Sequence, residues 1–103
     1  MTSLSTHVLD TATGAPGSGM EVRLTRWSGD GWVDTVTETT DSDGRVSFGE
    51  VGGGRFRLAF ETGAYGNDMY PYVHVVFEVS SDRDHYHVPL LLSPYGYSTY
   101  RGS

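Results

Sequence analysis

The chain has 103 residues, of which 13 are acidic and 7 are basic, and its formal net charge is −6 at pH 7. This length fits one domain, the acidic balance disfavours nucleic acid or an anionic membrane surface as a partner, and no apolar run approaches the roughly 20 residues of a membrane span. Cysteine is absent, which excludes disulfide frameworks and thiolate chemistry. The first residues show neither a basic region nor an apolar stretch, so we expect no secretory signal and a cytoplasmic protein.

Alternating apolar and polar residues between glycine-rich turns run through most of the chain, whereas a helical period of apolar residues is hard to find. The segments predicted as strands are, in chain order, 5–10, 20–27, 32–38, 45–48, 55–60, 72–79, 85–92 and 97–102. Such a series of short strands in one small domain predicts an all-β fold, either a sandwich or a small barrel. Segment 61–69 is the only place for a helix, and its Gly63 and Gly66 predict a loop or a single turn.

Segment 85–92 differs from the other predicted strands because both of its faces are largely apolar. The expected core face carries Tyr86, Val88, Leu90 and Leu92, and the opposite face carries His87, Pro89 and Leu91. A strand that is buried on one side only is normally polar on the other. We therefore expect a second subunit, a ligand or an overlying loop to cover this face. Pro89 cannot donate to the ladder and predicts a local break in pairing.

Four histidines are candidates for chemistry, namely His7, His74, His85 and His87. His85 and His87 alternate onto one face, but a third metal ligand is not evident, so we predict no metal site. By pattern alone, His74 and His85 are expected to be solvated surface residues, and His7 a structural strand residue. His87 has two interpretations: core packing, or a desolvated imidazole that stays neutral near pH 7 and can act as a general base.

The acidic turn before Arg45 and the serine at position 98 carry weaker signals. Arg45 by itself is interpreted as a surface arginine. Asp41, Asp43 and Gly44 resemble only part of a calcium loop, because further ligands and the glutamate at the twelfth position are missing. Ser98 is not flanked by glycines on both sides as in a nucleophile elbow, so a serine hydrolase of that class is not supported.

Three segments taken together resemble one known family. They are STHVLDTATG of residues 5–14 with Pro16 after it, TDSDGR of residues 40–45, and HYHVPLLLSPYGYSTYRGS of residues 85–103. These segments resemble the transthyretin-like family, and the final Tyr-Arg-Gly-Ser marks its enzymatic branch, the 5-hydroxyisourate hydrolases. The resemblance extends over essentially the whole chain, so residues 1–103 are interpreted as a single domain of this type.

The resemblance implies a fold, an assembly and a reaction. The expected fold is an all-β sandwich of two four-stranded sheets with at most one short helical turn. The expected assembly is a homotetramer with sites at the dimer–dimer interface, which agrees with the two apolar faces of segment 85–92. The expected reaction is hydrolysis of 5-hydroxyisourate, a small molecule, to 2-oxo-4-hydroxy-4-carboxy-5-ureidoimidazoline in urate (purine) degradation. No metal or organic cofactor is implied, and neither nucleic acid nor a membrane is an expected partner.

The resemblance also implies the residues of the site. His7, Arg45 and His87 fall on the catalytic positions of the family, and Tyr100 and Ser103 fall on positions expected to bind substrate. Arg45 is expected to orient the planar substrate through its guanidinium group. The two histidines are expected to activate water and deliver a proton without a metal, and which of them is the base stays open.

Two other functions are weighed against the hydrolase. The binding branch of the family, the thyroid-hormone carrier transthyretin, has a lysine and a glutamate where this chain has His7 and Arg45, and it lacks the Tyr-Arg-Gly-Ser ending. A non-catalytic carrier of small aromatic ligands in the same channel is therefore the less favoured alternative. A plain sandwich module for adhesion or assembly is the third.

Overall fold

The computed structural model describes residues 1–102, and these residues form ten strands and one short helix arranged around two sheets. The elements in chain order are β1 (Ser3–Asp10), β2 (Ala15–Pro16), β3 (Glu21–Trp27), β4 (Trp32–Thr39), β5 (Arg45–Glu50), β6 (Gly54–Phe60), α1 (Thr62–Tyr65), β7 (Val73–Val79), β8 (His85–His87), β9 (Leu90–Ser93) and β10 (Gly96–Thr99). The all-β architecture predicted from the alternating pattern is confirmed.

The first sheet contains six strand segments that fill four positions. β1 lies inside the sheet and pairs antiparallel with β5 along its first half and with β2 at its end. On its other side, β1 pairs parallel with β8 and then β9, and β10 lies outermost, antiparallel to β9. The second sheet has four strands in the order β4-β3-β6-β7. The sandwich of two four-stranded sheets is therefore confirmed, with two of the four positions in the first sheet each divided into two segments.

The core lies between the two sheets and is built from the faces that the alternating pattern predicted. Its buried apolar side chains include Leu4, Val8, Met20, Val22, Leu24, Phe56, Leu58, Phe60, Val73, Val79, Tyr86, Val88, Leu90 and Leu92. The hydroxyl of buried Thr6 donates to the carbonyl of Val88 at 2.6 Å. This bond satisfies a polar group that burial removes from water and attaches the middle of β1 to the segment between β8 and β9.

The predicted strand 85–92 is interrupted in the structure between β8 and β9. Pro89 has no backbone N–H, and its carbonyl accepts a hydrogen bond from the Thr99 hydroxyl at 2.8 Å. Val88 N–H donates to the carbonyl of Ser5 at 3.0 Å, so the chain stays attached to β1 across the gap. The break that Pro89 predicts is confirmed, and β9 still continues beside β1.

Of the loop or single turn expected for segment 61–69, the structure has the single turn, α1, which has four residues. It ends at Tyr65, and the following residue, Gly66, has a φ of 129° in a region that favours glycine. A Cβ at Gly63 would lie 2.8 Å from the carbonyl oxygen of Pro71, so this glycine permits a close approach of two backbone segments. Among residues 1–102, no helix has the length and apolar character needed to cross a membrane.

Candidate active site

Most of the predicted catalytic residues lie on the outer face of the first sheet, which is the face turned away from the core. Side chains of a strand alternate between its two faces. Because Leu4, Thr6 and Val8 of β1 are buried in the core, Ser5 and His7 lie on the opposite, outer face. They are half-buried in the single chain.

His7 and Arg45 lie directly opposite each other on β1 and β5. Such pairs in an antiparallel sheet share one face, with Cβ atoms about 4.5–5.5 Å apart. The turn before β5 fixes this register, because the Asp41 carboxylate accepts hydrogen bonds from the backbone N–H groups of Arg45 and Asp43, both at 2.9 Å. The Arg45 bond is the main reason that the pKa of Asp41 lies below its usual value. The exposed Arg45 side chain therefore emerges beside His7 on the outer face.

His87 reaches the same face from the other side of β1. It is the register partner of Ser5, in the parallel pairing of β8 with β1. The centroids of the His7 and His87 rings are 6.4 Å apart, and the rings are tilted by 32°. Burial lowers the pKa of His87, and the nearby His7, His85 and Arg45 lower it further. The structure thus brings His7, Arg45 and His87 together, and it favours the neutral imidazole at His87.

Hydrogen bonds link His87 to two residues that the sequence did not single out for the site. The Ser5 hydroxyl oxygen lies 2.8 Å from Nδ1 of His87 and 2.9 Å from Nε2 of His85. His85 is exposed, as expected, but it is fixed by Ser3 and Ser5 rather than freely solvated. Alternation along β1 already placed Ser5 on the side of His7. The parallel pairing with β8, which brings the histidines beside Ser5, is a long-range contact that alternation does not encode.

The C-terminal segment returns to His87. Gly102 N–H donates to the carbonyl of His87 at 2.7 Å, and a Cβ at Gly102 would meet the His87 ring at 2.7 Å. Tyr100 is 57% exposed and lines a cleft between β7 and the segment after β10, with Phe77 and Val88 among the neighbouring residues. Ser103 lies outside the described residues. Within residues 1–102, Gly102 therefore contacts the site, while Tyr100 lines the neighbouring cleft.

A separate cavity lies at the end of the first sheet, beside α1. Asp10, Tyr65, Asn67 and Tyr95 are among its lining residues. The Tyr65 hydroxyl donates to the Asp10 carboxylate at 2.9 Å, and burial raises the pKa of this tyrosine. None of the residues predicted for catalysis lines this cavity, so it is not the candidate site.

The outer face offers a cation, a neutral imidazole and a second imidazole within one small area. A guanidinium group can hold a planar, oxygen-rich ligand by paired hydrogen bonds, and a neutral imidazole can take a proton from water. No group of three or more potential metal ligands (His, Asp or Glu) is found within residues 1–102. Together, the guanidinium group and the two imidazoles can bind a planar polar ligand and transfer protons to and from water.

The chain is similar to a family of known enzymes and carriers. The family model described as the HIUase/Transthyretin family matches residues 4–102. The 5-hydroxyisourate hydrolase of Salmonella typhimurium is 44% identical over 109 residues, covering 97% of this chain and 80% of that protein. The structure of Klebsiella pneumoniae 5-hydroxyisourate hydrolase has a TM-score of 0.87 and 35% identity, covering 100% of this chain and 94% of the other. Sea bream transthyretin in complex with thyroxine has a TM-score of 0.86 and 27% identity, covering 96% and 93%.

Proposed function

The chain belongs to the HIUase/transthyretin family, and we propose that it is a hydrolase that opens the ring of 5-hydroxyisourate. The product is 2-oxo-4-hydroxy-4-carboxy-5-ureidoimidazoline, and the reaction is a step of urate degradation. The observation that carries the proposal is the meeting of His7, Arg45 and His87 on one face of the first sheet. The similarity to Salmonella and Klebsiella hydrolases over nearly the whole chain supports the same reaction.

Arg45 binds and polarises the substrate in the proposed mechanism. Its guanidinium group is planar and always charged, so it matches the carbonyl and ring-nitrogen edge of a flat heterocycle. When water attacks a ring carbonyl, negative charge develops on the oxygen, and a fixed cation stabilises that charge. Asp41 holds the start of β5 through the backbone of Arg45 rather than through its guanidinium group. The guanidinium group of Arg45 can therefore bind the substrate.

The two histidines move the protons. We assign the general base to His87, because its burial lowers the pKa and favours the neutral form. His87 takes a proton from water while the oxygen attacks the carbonyl carbon. The C–N bond of the ring then breaks, and the leaving nitrogen takes a proton from an imidazole. We assign this second step to His7, and the 6.4 Å between its ring centroid and that of His87 supports the assignment.

Tyr100 and Ser103 are proposed to bind the substrate. The hydrogen bond between Gly102 and His87 supports this role for the chain end, because it attaches the residue before Ser103 to the site. Tyr100 faces a cleft beside β7 within its own chain. Its contribution is therefore proposed to reach a site that is completed by a neighbouring subunit.

We propose a homotetramer in which the outer faces of the first sheets enclose the sites. The supporting observation is that Leu9 and Leu91 pair across β1 and β9 on this face and are only half-buried in the single chain. An apolar patch next to an open polar site fits a subunit interface. The interpretation of residues 1–103 as one hydrolase domain and the cytoplasmic location stay predictions.

The test follows the absorbance of freshly generated 5-hydroxyisourate with and without the protein. We expect faster decay than in buffer and the carboxylated ureidoimidazoline as the product. Replacing His87 with Asn should reduce turnover by about 10²–10⁴-fold, the usual contribution of a general base. The control His74→Asn changes an exposed histidine of the second sheet and should keep full activity. Equal decay rates for the wild type and buffer would reject the hydrolase.

A carrier of small aromatic ligands is the second candidate, because transthyretin in complex with thyroxine shares the fold at a TM-score of 0.86. This alternative predicts saturable binding of an iodinated phenol and no turnover of 5-hydroxyisourate. His7 and Arg45 argue against it, since an imidazole and a guanidinium group serve hydrolysis rather than the storage of an apolar ring. Calorimetric titration with thyroxine, run beside the absorbance assay, distinguishes the two.

A further inference from the structure

A chain of hydrogen bonds leads away from His87 along β1 and β8. Nδ1 of His87 contacts the Ser5 hydroxyl, the same hydroxyl contacts Nε2 of His85, and Nδ1 of His85 contacts the Ser3 hydroxyl. We propose that Ser5 and His85 are positioning residues that set the tautomer of His87 and exchange its proton with solvent. This inference rests on the proposed function, because it serves the role of His87 as the base.

The parallel register of β1 and β8 builds this chain. Ser3 is the register partner of His85, and Ser5 is the partner of His87. All four residues lie on the outer face, so hydroxyl and imidazole groups alternate in space although each strand supplies only two of them. His87 is half-buried and His85 is exposed. The chain therefore runs from the catalytic face toward water.

The Ser5 hydroxyl makes the states of the two imidazoles depend on each other. A hydroxyl group has one proton to donate, so Ser5 can donate to one histidine while it accepts from the other. When Nδ1–H of His87 donates to Ser5, Ser5 donates to Nε2 of His85, and Nδ1–H of His85 donates to Ser3. Ser3 can then donate to the carbonyl of Asp84, which lies 3.3 Å away.

In this arrangement His87 presents the lone pair of Nε2, the ring nitrogen that bonds none of residues 1–102 in the structure. A general base needs such a lone pair, so this tautomer of His87 is the one that can take a proton from water. The opposite arrangement places a proton on Nε2 of His87, which is the form that an acid requires. Through Ser5, the tautomer of His87 therefore depends on which ring nitrogen of the exposed His85 carries a proton.

The proton transfer balances atom by atom. When Nε2 of His87 takes a proton from water, Nδ1–H passes to the Ser5 oxygen while the Ser5 proton passes to Nε2 of His85. His85, now an imidazolium ion, loses its Nδ1 proton to solvent. The reverse sequence starts with a solvent proton on Nδ1 of His85 and ends with Nε2–H of His87 passed to His7, which has given its own proton to the leaving nitrogen. His87 then returns to the base form with Nδ1–H.

The charged residues nearest this chain of hydrogen bonds are distributed unevenly along it. The titratable and charged residues nearest in the fold are His7 on β1, Arg45 on β5, Glu50, which is the register partner of Ser3, and Asp84, which precedes His85 in the chain. The cations lie at the His87 end, and the carboxylates lie at the exposed end. Within residues 1–102 the one ion pair is that of Arg55 with Glu78, so neither imidazole forms an ion pair with a carboxylate of these residues.

The decisive variants are His85→Gln and Ser5→Ala, compared with the control His74→Gln. Glutamine keeps a hydrogen-bonding group at position 85 but does not titrate. We expect kcat of His85→Gln to fall about tenfold in dilute buffer, part of the total that a general base contributes. Added imidazole should restore kcat, because imidazole from solution can exchange the proton that the side chain of His85 no longer exchanges. If His85 had only a structural role, added imidazole would not change the kcat of His85→Gln.

Ser5→Ala should lower kcat and change its pH profile, and Ser5→Thr should retain most of the activity because it keeps the hydroxyl. Nitrogen-15 NMR of the His87 ring should show a change of tautomer in Ser5→Ala. If Ser5→Ala does not fold, Ser5→Thr and His85→Gln decide the question.

An active wild type whose variants keep kcat, buffer response and pH profile would overturn the relay alone. An inactive wild type would reject the proposed function. The NMR spectra would then still test whether Ser5 sets the tautomer, and an unchanged His87 ring in Ser5→Ala would overturn that part as well.

Discussion

Among residues 1–102, Arg45 is the arginine that lies beside the two histidines of the candidate site, and its shape matters as much as its charge. Arg45→Lys keeps the charge but replaces a planar fork of donors by a single ammonium group. We expect kcat/KM to fall by about 10²-fold, the size of effect seen when one group that stabilises developing negative charge is lost. The absorbance assay measures this loss. Arg55→Lys is the matched control, because Arg55 pairs with Glu78 on the second sheet; equal losses in both variants would contradict the assignment.

The pH dependence of kcat/KM should report the desolvation of His87. Its pKa is lowered from the usual 6.5, first by burial and then by the charges of His7, His85 and Arg45. The neutral base therefore persists as the pH falls through 6.5, and activity should decline only below that value. Arg45→Gln removes one of the neighbouring charges, so the decline in its residual activity should move to higher pH. A wild-type decline centred above 6.5 would contradict the role of His87.

The residues of the site were predictable to different degrees. His7, Arg45 and His87 came from the resemblance of three short segments to a family, since alternation alone left each of them open to a structural role. Ser5 and His85 were missed as partners of His87 because their contacts depend on the parallel pairing of β1 with β8. Those segments are about eighty residues apart in sequence, and no local pattern encodes such a neighbour.

The turn that leads into β5 depends on Gly44. Its φ is +77°, and a Cβ there would lie 2.4 Å from the carbonyl oxygen of Val8. Gly44→Ala should therefore lower the free energy of unfolding by more than the about 1 kcal/mol that a positive φ alone costs an alanine. Gly19→Ala is the control, because Gly19 also has a φ of +77° but nothing lies near its Cβ position. Urea unfolding of both variants measures the difference, and equal losses would show that the contact with β1 is unimportant.

Local signals predicted the elements well where one residue decides the geometry. Pro89 predicted the break between β8 and β9, and the glycines of segment 61–69 predicted a single turn. The short strand β2 was missed, because Ala15–Pro16 lies in a turn-rich segment and pairs only with the end of β1. β1 also begins at Ser3 rather than at residue 5, since its first residues pair with β8 and β5. These additions come from pairing partners and not from the alternation of the segment itself.

The small size of the chain bears on where an active site can lie. A chain of 103 residues folds here into a two-layer sandwich, and the predicted catalytic side chains lie on an outer face rather than in a cleft between the layers. The net charge of −6 describes the surface as a whole, whereas this face holds Arg45 and three histidines. An active site on an open sheet face needs a cover that excludes water, and the proposed tetramer supplies it with another copy of the same face.

Leu91 tests this assembly. It lies half-buried on the outer face, paired with Leu9 of β1 and Ser98 of β10. Leu91→Glu places a charge in the proposed interface, where burying it without a partner is costly, so we expect sedimentation velocity to show dimers in place of tetramers of the 11.3 kDa chain. Activity should fall together with the tetramer. Val33→Glu, at an exposed position on the second sheet, should leave both unchanged, with far-UV circular dichroism confirming that each variant is folded. A tetrameric Leu91→Glu protein, or a wild type that sediments as a monomer, would show that the sites are not enclosed by this face.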